Sequence, residues 1–312
     1  MSSNRTLTGS QSTASIASLL AMLLCLPLFV HARSLDDIQA AGTLSVAVYR
    51  DFPPYSWEDN GDARGVDVEI ARHLARGLGV DLTLHWMVPD ENLEDDLRNH
   101  VWKGHYLARI EDGPMLKREV ADVMLRAPYD REYAFKVDQD GRVMNDLVHF
   151  FAPYQRERWM LLIDDQQIES IENLAIFMYD KVGVEIDSLP DFYLSSAFRG
   201  RLKNNVLHYT TVFDALADLP EKKVAAVMGM QSQMQWGRLR LDTPERYQAV
   251  DIPLPNLTKP RWEVGMAVKD AHRALGYALE DVITELVNSG DMERIFASYG
   301  VDYLKPEHYR VQ

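Results

Sequence analysis

The stretch that most limits what this chain can fold into is residues 43–86. A short apolar strand, TLSVAVY at 43–49, is followed by the turn Phe52-Pro53-Pro54-Tyr55-Ser56-Trp57 and then by GVDVEIARHLARGLGV. In that segment Val66, Ile70, Leu74 and Leu78 recur at helical spacing, and Gly79 suits the left-handed residue that ends a helix. Residues 81–86, DLTLHW, alternate apolar and polar as a strand does. Strand, helix, strand at this spacing is a βαβ unit, which argues for a parallel sheet covered by helices.

The alternation continues along the chain. A helical turn at 35–41 ends at Gly42, and residues 92–102 form a further candidate helix. Residues 120–125 (VADVML) read as a buried strand, 146–153 as an extended aromatic segment and 158–163 (RWMLLI) as another strand. A helix near 169–174 leads to a strand near 182–186, after which Ser188 is placed to cap a helix with Pro190 in its first turn. Strand 206–209, helix 211–219 with a Thr-x-x-Asp start, strand 224–228, a polar helix and strand 262–268 follow. The longest helix, 272–288, carries the stripe Leu275, Leu279, Val282, Ile283 and Leu286, stops at Gly290, and precedes a last helix at 292–299. The expected class is α/β, with no internal repeat and no low-complexity linker.

The N-terminus gives the chain an address. Arg5 is the only formal charge ahead of the apolar run 16–30 (IASLLAMLLCLPLFV), which ends in Val30-His31-Ala32. A basic start, an apolar middle and a small exit residue make a secretory signal peptide over residues 1–32, with cleavage expected after Ala32. The run is too short, and too interrupted at Pro27, for a membrane span. The only cysteine, Cys25, is in that leader, preceded by Leu24 rather than the small residue a lipoprotein signal needs. The exported chain then has no thiol, which excludes disulfides, Cys-bound zinc and thiolate catalysis. A formal net charge of −14 disfavours nucleic acid and anionic lipid as partners. The expectation is a soluble periplasmic protein stabilised by burial alone.

The segments FPPYSW, GVDVEIARHLARGLGV and the terminal WEVGMAVKDAHRALGYALEDVITELVNSGDMERIFASYG occur in a telling order. In that order the chain resembles the extracellular solute-binding proteins of family 3, best known as amino-acid receptors of ABC importers. The likeness runs from about residue 35 to 303. It implies a type II periplasmic-binding-protein fold, two α/β lobes joined by crossing strands around a hinged cleft. Lobe 1 would comprise residues 33–153 and 260–312, and lobe 2 residues 154–259. A narrower likeness lies in Asp90-Glu91-Asn92, Asp95 to Asn99, Val101-Trp102-Lys103-Gly104-His105-Tyr106-Leu107, Ala121 to Leu125 and Phe151-Ala152-Pro153-Tyr154. These segments resemble the accessory binding proteins of quinoprotein dehydrogenases, the MoxJ/XoxJ type of methanol oxidation. That resemblance implies a partner, a pyrroloquinoline-quinone (PQQ)-dependent alcohol dehydrogenase, and no cofactor of the chain's own. The polar insert 108–119, ARIEDGPMLKRE, departs from the short Gly-rich turn of that group.

The resemblance also directs attention to particular residues. Amino-acid receptors grip the ligand carboxylate with an arginine fork and a helix N-terminus, and the ammonium with a second-lobe acid. Arg131, in Ala127-Pro128-Tyr129-Asp130-Arg131, is near the expected arginine position, one residue late and without the preceding hydroxyl. Its bland alternative is a surface arginine beside a turn. Ser188 starts a helix, as ligand contact or merely as cap. The ammonium acid is missing, because 223–229 (KVAAVMG) has Ala and Gly there, so an α-amino group would be buried unpaired. Tyr55 and Trp57 are candidates for lining the cleft, with core packing as the rival. Trp102 and Tyr106 are candidates for cleft or partner contacts, again against core packing.

No metal site is expected. The five-residue step from His100 to His105 does not share a helical face, no acid is seen at matching spacing to His85, His100 or His105, and Glu94-Asp95-Asp96 lacks a calcium loop's central glycine. No phosphate loop, nucleophile elbow or zinc-protease helix appears, so no catalytic residue is assigned. The leading expectation is a non-enzymatic periplasmic accessory protein of a PQQ-dependent alcohol dehydrogenase. An importer receptor for a small organic anion, or a cyclohexadienyl or arogenate dehydratase-like enzyme, stands as the alternative.

Overall fold

The computed structural model describes residues 32–105 and 119–310. The signal peptide apart from Ala32, Tyr106 and nearly all of the 108–119 insert lie outside the described residues. The chain opens with α1 (Leu35–Ala41), held at its start by a reciprocal Ser34/Asp37 capping box and ended by Gly42 at φ 68°. Next come β1 (Thr43–Tyr49), the hairpin β2 (Trp57–Asp59) and β3 (Asp62–Arg64), α2 (Val66–Leu78) and β4 (Asp81–Met87). The helix α3 (Leu93–Leu97) widens into a π-type turn over Arg98–Trp102, then β5 (Val123–Pro128) and α4 (Arg131–Ala134) follow. A single long strand, β6 (Val148–Asp164), carries the chain across.

The second half contains β7 (Val182–Glu185), α5 (Leu189–Gly200), β8 (Val206–Tyr209), α6 (Val212–Ala217), β9 (Ala226–Met230), α7 (Gln231–Arg238) and β10 (Tyr247–Val250). The return is β11 (Arg261–Lys269), before α8 (Arg273–Ser289) and α9 (Asp291–Ser298). Strand order is β4-β1-β5-β11-β6-β9-β7-β8, with β10 also paired to β6. β1 pairs in parallel with β4 and β5, and β7 with β8 and β9, whereas β6 and β11 run antiparallel to their neighbours. The two crossing strands therefore join two parallel α/β halves, the two-lobed architecture that the family resemblance implies.

Burial explains the elements. The stripe Val66, Ile70 and Leu74 of α2 meets Leu275, Leu279 and Ile283 of α8 in one core under β1 and β5. In the other lobe, β6 sends Leu161 and Ile163 to one side and Met160 and Leu162 to the other, so a strand buried on both faces reads as an unbroken apolar run.

Three local expectations are corrected. The extended segment 146–153 and the strand at 158–163 are one strand, because β11 pairs along nearly its whole first part and bridges the irregularity near Ala152. Residues 169–174 do not form a helix; a short 3-10 turn over Leu174–Met178, capped by Asn173, stands there instead. The helix expected at 92–102 is broken into α3 and the wider turn.

Candidate functional site

The site is built around one irregularity in the sheet. Along β11, Gly265 pairs with Ala127 and Met266 with Leu125, leaving Arg126 of β5 as an extra residue at φ 62°. On the other side of β11, Val264 pairs with Gln155 and Met266 with Phe151, so β6 bulges as well, with Ala152 at φ 45°. A bulge re-aims the side chains beside it. Gly265 permits this crowding, since a Cβ there would lie 2.7 Å from the Phe151 carbonyl oxygen.

Arg126 stacks under Tyr55, its guanidinium carbon 3.5 Å from the ring centroid, with Phe52 at 5.2 Å. Its backbone N–H donates to the Tyr154 hydroxyl (3.1 Å), which donates to Asp67 Oδ1 (3.0 Å) at the start of α2. Burial works against the Arg126 charge, but Tyr55, Asp67, Tyr154 and Glu157 more than offset it and hold its pKa above the ordinary arginine value. Burial pushes the Asp67 carboxyl up to about 6, although Arg126 and the Tyr154 hydroxyl pull the other way. Burial, reinforced by Glu157, raises the Tyr55 phenol well above its usual range.

Tyr55 itself is fully buried where the lobes meet. Its hydroxyl donates to Glu157 Oε2 on β6 and accepts from Gln155 Nε2 at 2.7 Å. Ser232 Oγ, at the start of α7 in the second lobe, lies 2.6 Å from the Tyr55 hydroxyl and donates to Glu157 Oε2 at 2.6 Å. Glu157 is 1% exposed, and its second oxygen accepts the Arg158 N–H at 3.0 Å. The turn that presents Tyr55 is itself anchored by α2. The N–H groups of Val66 and Asp67 donate to the Pro54 and Tyr55 carbonyls at 3.0 and 2.8 Å. Gly65, at φ 124°, makes room, because a Cβ would lie 2.1 Å from the Tyr55 carbonyl oxygen.

Further out, α7 is fastened to the first lobe again. Trp57 meets Trp236 and Tyr299 edge-on, with centroids 5.6 and 5.8 Å apart, and Arg240 covers Trp236 at 3.3 Å. Gln235 and Asp302 exchange two hydrogen bonds, of 2.6 and 2.9 Å. The lobes are thus closed on each other through side chains of the chain itself. Within this closed centre Arg126 Nη1, Asp67 Oδ2 and Gln155 Oε1 are buried without a hydrogen-bond partner among the described residues.

The residues singled out from the sequence fall in separate places. Tyr55 is central to the interlobe contact, and Trp57 lies at its rim, in a groove also lined by Arg64, Arg72, Leu239 and Arg240. Arg131 begins α4 in an open recess with Tyr129, Asp130, Glu132 and Phe135. Ser188 accepts from the Asp191 N–H as the cap of α5 and donates to the Glu185 carbonyl at 2.6 Å. No hydrogen bond, ion pair or ring contact joins Arg131 or Ser188 to Tyr55 or Trp57 among the described residues. Trp102 packs against the Ala47, Met87, Leu97 and Val101 cluster of the first lobe, with Lys103 over its ring at 5.9 Å.

Sequence reasoning missed Arg126, Asp67 and Glu157. The acid expected at β9 is absent there, where Ala226 and Gly229 stand; the carboxylates come instead from α2 and the crossing strand. A signal existed for Arg126, the one charge within the apolar run VMLRAP of β5.

No protein-family profile matches the sequence, and no curated protein matches it. Solved structures do match in shape. An ancestral cationic amino-acid solute-binding protein superposes with a TM-score of 0.64 at 17% identity, over 85% of this chain and 99% of its own. The amino-acid ABC transporter substrate-binding protein AbpA from Streptococcus pneumoniae, bound to L-arginine, gives 0.55 at 18% identity over 85% and 97%. A histidine kinase sensor domain with similarity to periplasmic binding proteins gives 0.54 at 18% over 85% and 98%. At such identities the likeness establishes the architecture: this chain has the two-lobed α/β fold of the periplasmic amino-acid-binding proteins.

Proposed function

We propose that this protein is a non-enzymatic periplasmic accessory protein that works through its surface with a PQQ-dependent alcohol dehydrogenase, using a binding-protein scaffold whose cleft is occupied by its own side chains. The observation that carries the first part is the Tyr55–Glu157–Ser232 contact. An incoming carboxylate would need Arg126, and the Tyr55 ring covers it at 3.5 Å. An incoming ammonium would need Glu157, which already accepts from Tyr55, Ser232 and the Arg158 N–H. A ligand would have to break these bonds before making its own, and hydrogen bonds to a buried charge are worth roughly 1.5–3 kcal/mol each. The dehydrogenase as partner rests on the sequence likeness in residues 90–107, 121–125 and 151–154. Affinity capture with the tagged protein from cells grown on an alcohol tests it. Recovery of a PQQ-dependent dehydrogenase in stoichiometric amount is expected, and its absence from the capture would overturn the partnership.

One observation favours a second reading, a receptor for a small organic anion or zwitterion. Arg126 Nη1 and Asp67 Oδ2 lie buried and unpartnered beside Tyr55, where a solute entering an opened cleft would reach them. A thermal-shift screen separates the readings, since a receptor at 100-fold ligand excess over Kd gains about 2.7 kcal/mol. The dehydratase alternative requires a positioned acid, for which Glu157 and Asp67 are the candidates; a direct dehydratase assay decides it.

A further inference from the structure

We propose that Asp90, Asp96 and His100 bind a divalent first-row transition-metal ion that braces the segment 90–102. Donor atoms of the three side chains all lie within 4.8 Å of one another. An ion with bonds of about 2.1 Å brings its donors to about 3–4 Å apart, so small side-chain movements complete the set. Asp96 and His100 are four residues apart across consecutive helical turns, which corrects the expectation that no acid stands at matching spacing to His100.

Charge is the independent reason. Asp96 is 4% exposed, and among the described residues no Lys or Arg pairs with it. The neighbouring cations are engaged elsewhere, Arg98 with Asp95 and Lys136 with Glu94. Asp90 has His105 at 3.9 Å as its ion-pair neighbour. Buried carboxylates are ordinarily paired or metal-bound.

The surroundings are those of oriented ligands. The Tyr49 hydroxyl donates to Asp96 Oδ2 (2.7 Å), the Asp90 N–H to Asp96 Oδ1 (2.8 Å) and Asn99 Nδ2 to Asp90 Oδ2 (2.8 Å). Each carboxylate oxygen keeps a lone pair after accepting one bond. His85 Nε2 lies 3.0 Å from His100 Nδ1. With His100 donating to His85 through Nδ1, its Nε2 carries the lone pair a metal takes. Two carboxylates and one imidazole suit Zn²⁺ or Mn²⁺ better than the all-oxygen cations.

Calorimetric titration of the chelator-stripped exported protein with Zn²⁺ tests the assignment, alongside Asp96→Asn, His100→Gln and the control His208→Gln, whose histidine pairs with Asp191 in the other lobe. One equivalent is expected, with affinity reduced at least about tenfold in the first two variants and unchanged in the control. Anomalous scattering from zinc-soaked crystals of the unaltered protein should place the ion among the three side chains, and it decides the matter if a variant does not fold. Absence of stoichiometric binding, equal affinity in all folded variants, or an ion located elsewhere overturns the proposal.

Discussion

Removing one oxygen atom tests how the lobes are held. Tyr55→Phe keeps the ring over Arg126 and deletes the hydroxyl that meets Glu157, Gln155 and Ser232. Glu157 is not orphaned, because Ser232 Oγ and the Arg158 N–H still donate to it. The loss is therefore one hydrogen bond to a buried charge, roughly 2 kcal/mol, without the larger penalty of an unpaired carboxylate. That is about a 30-fold shift in whatever equilibrium the hydroxyl governs. Urea unfolding at pH 7 should show a lower midpoint at unchanged slope. Small-angle scattering of the ligand-free protein should show a larger radius of gyration for Tyr55→Phe, as the lobes part around β6 and β11. The double variant with Ser232→Ala should lose less than the sum of the singles, since both hydroxyls serve the same carboxylate oxygen. A stability change below about 0.5 kcal/mol together with unchanged scattering would show that the contact accompanies closure without contributing to it.

Other consequences follow from single positions. Gly65→Ala places a methyl 2.1 Å from the Tyr55 carbonyl oxygen at φ 124°, and a loss of at least about 3 kcal/mol in urea unfolding is expected, far above the usual helix-start cost. Leu279→Ala empties a fully buried position where α8 meets α2, and the same assay should show a loss of about 2–5 kcal/mol. Asp67 gives a pH signature. Its carboxyl titrates near 6 in the folded chain rather than at the ordinary 3.8, so the folded state holds a proton that the unfolded chain releases. Stability should consequently fall as pH rises from about 4 to 6, by up to about 3 kcal/mol from this group, and stay low above that range. Asp67→Asn should flatten that part of the curve; an unchanged profile would remove Asp67 as its source.

The separation between what could be read in advance and what could not has a physical basis. Periodicity made α2 and α8 visible, because Val66, Ile70 and Leu74, like Leu275, Leu279 and Ile283, must recur every three or four residues to face one core. Gly42, Gly79 and Gly290, all at positive φ, marked helix ends for a steric reason that holds in any context. Ser188 and Thr211 marked helix starts because a cap needs only its own next turn. These local rules were enough for the α/β class, and the two lobes were what the family resemblance implied.

The centre of the molecule obeys no local rule. Arg126 rather than Arg131 faces Tyr55 because β5 and β6 both bulge against Gly265, an event that depends on three strands at once. Spacing along the chain argues against a metal site, whereas tertiary packing brings His85 of β4 against His100 and Asp90 beside Asp96. Glu157 and Ser232, 75 residues apart, meet only when the lobes close. By itself the sequence determined the elements, their ends and the class of fold, because those follow from spacing and backbone sterics within one or two turns. Only the tertiary structure decided which charges share the interlobe centre, because that depends on register, bulges and closure between segments distant along the chain.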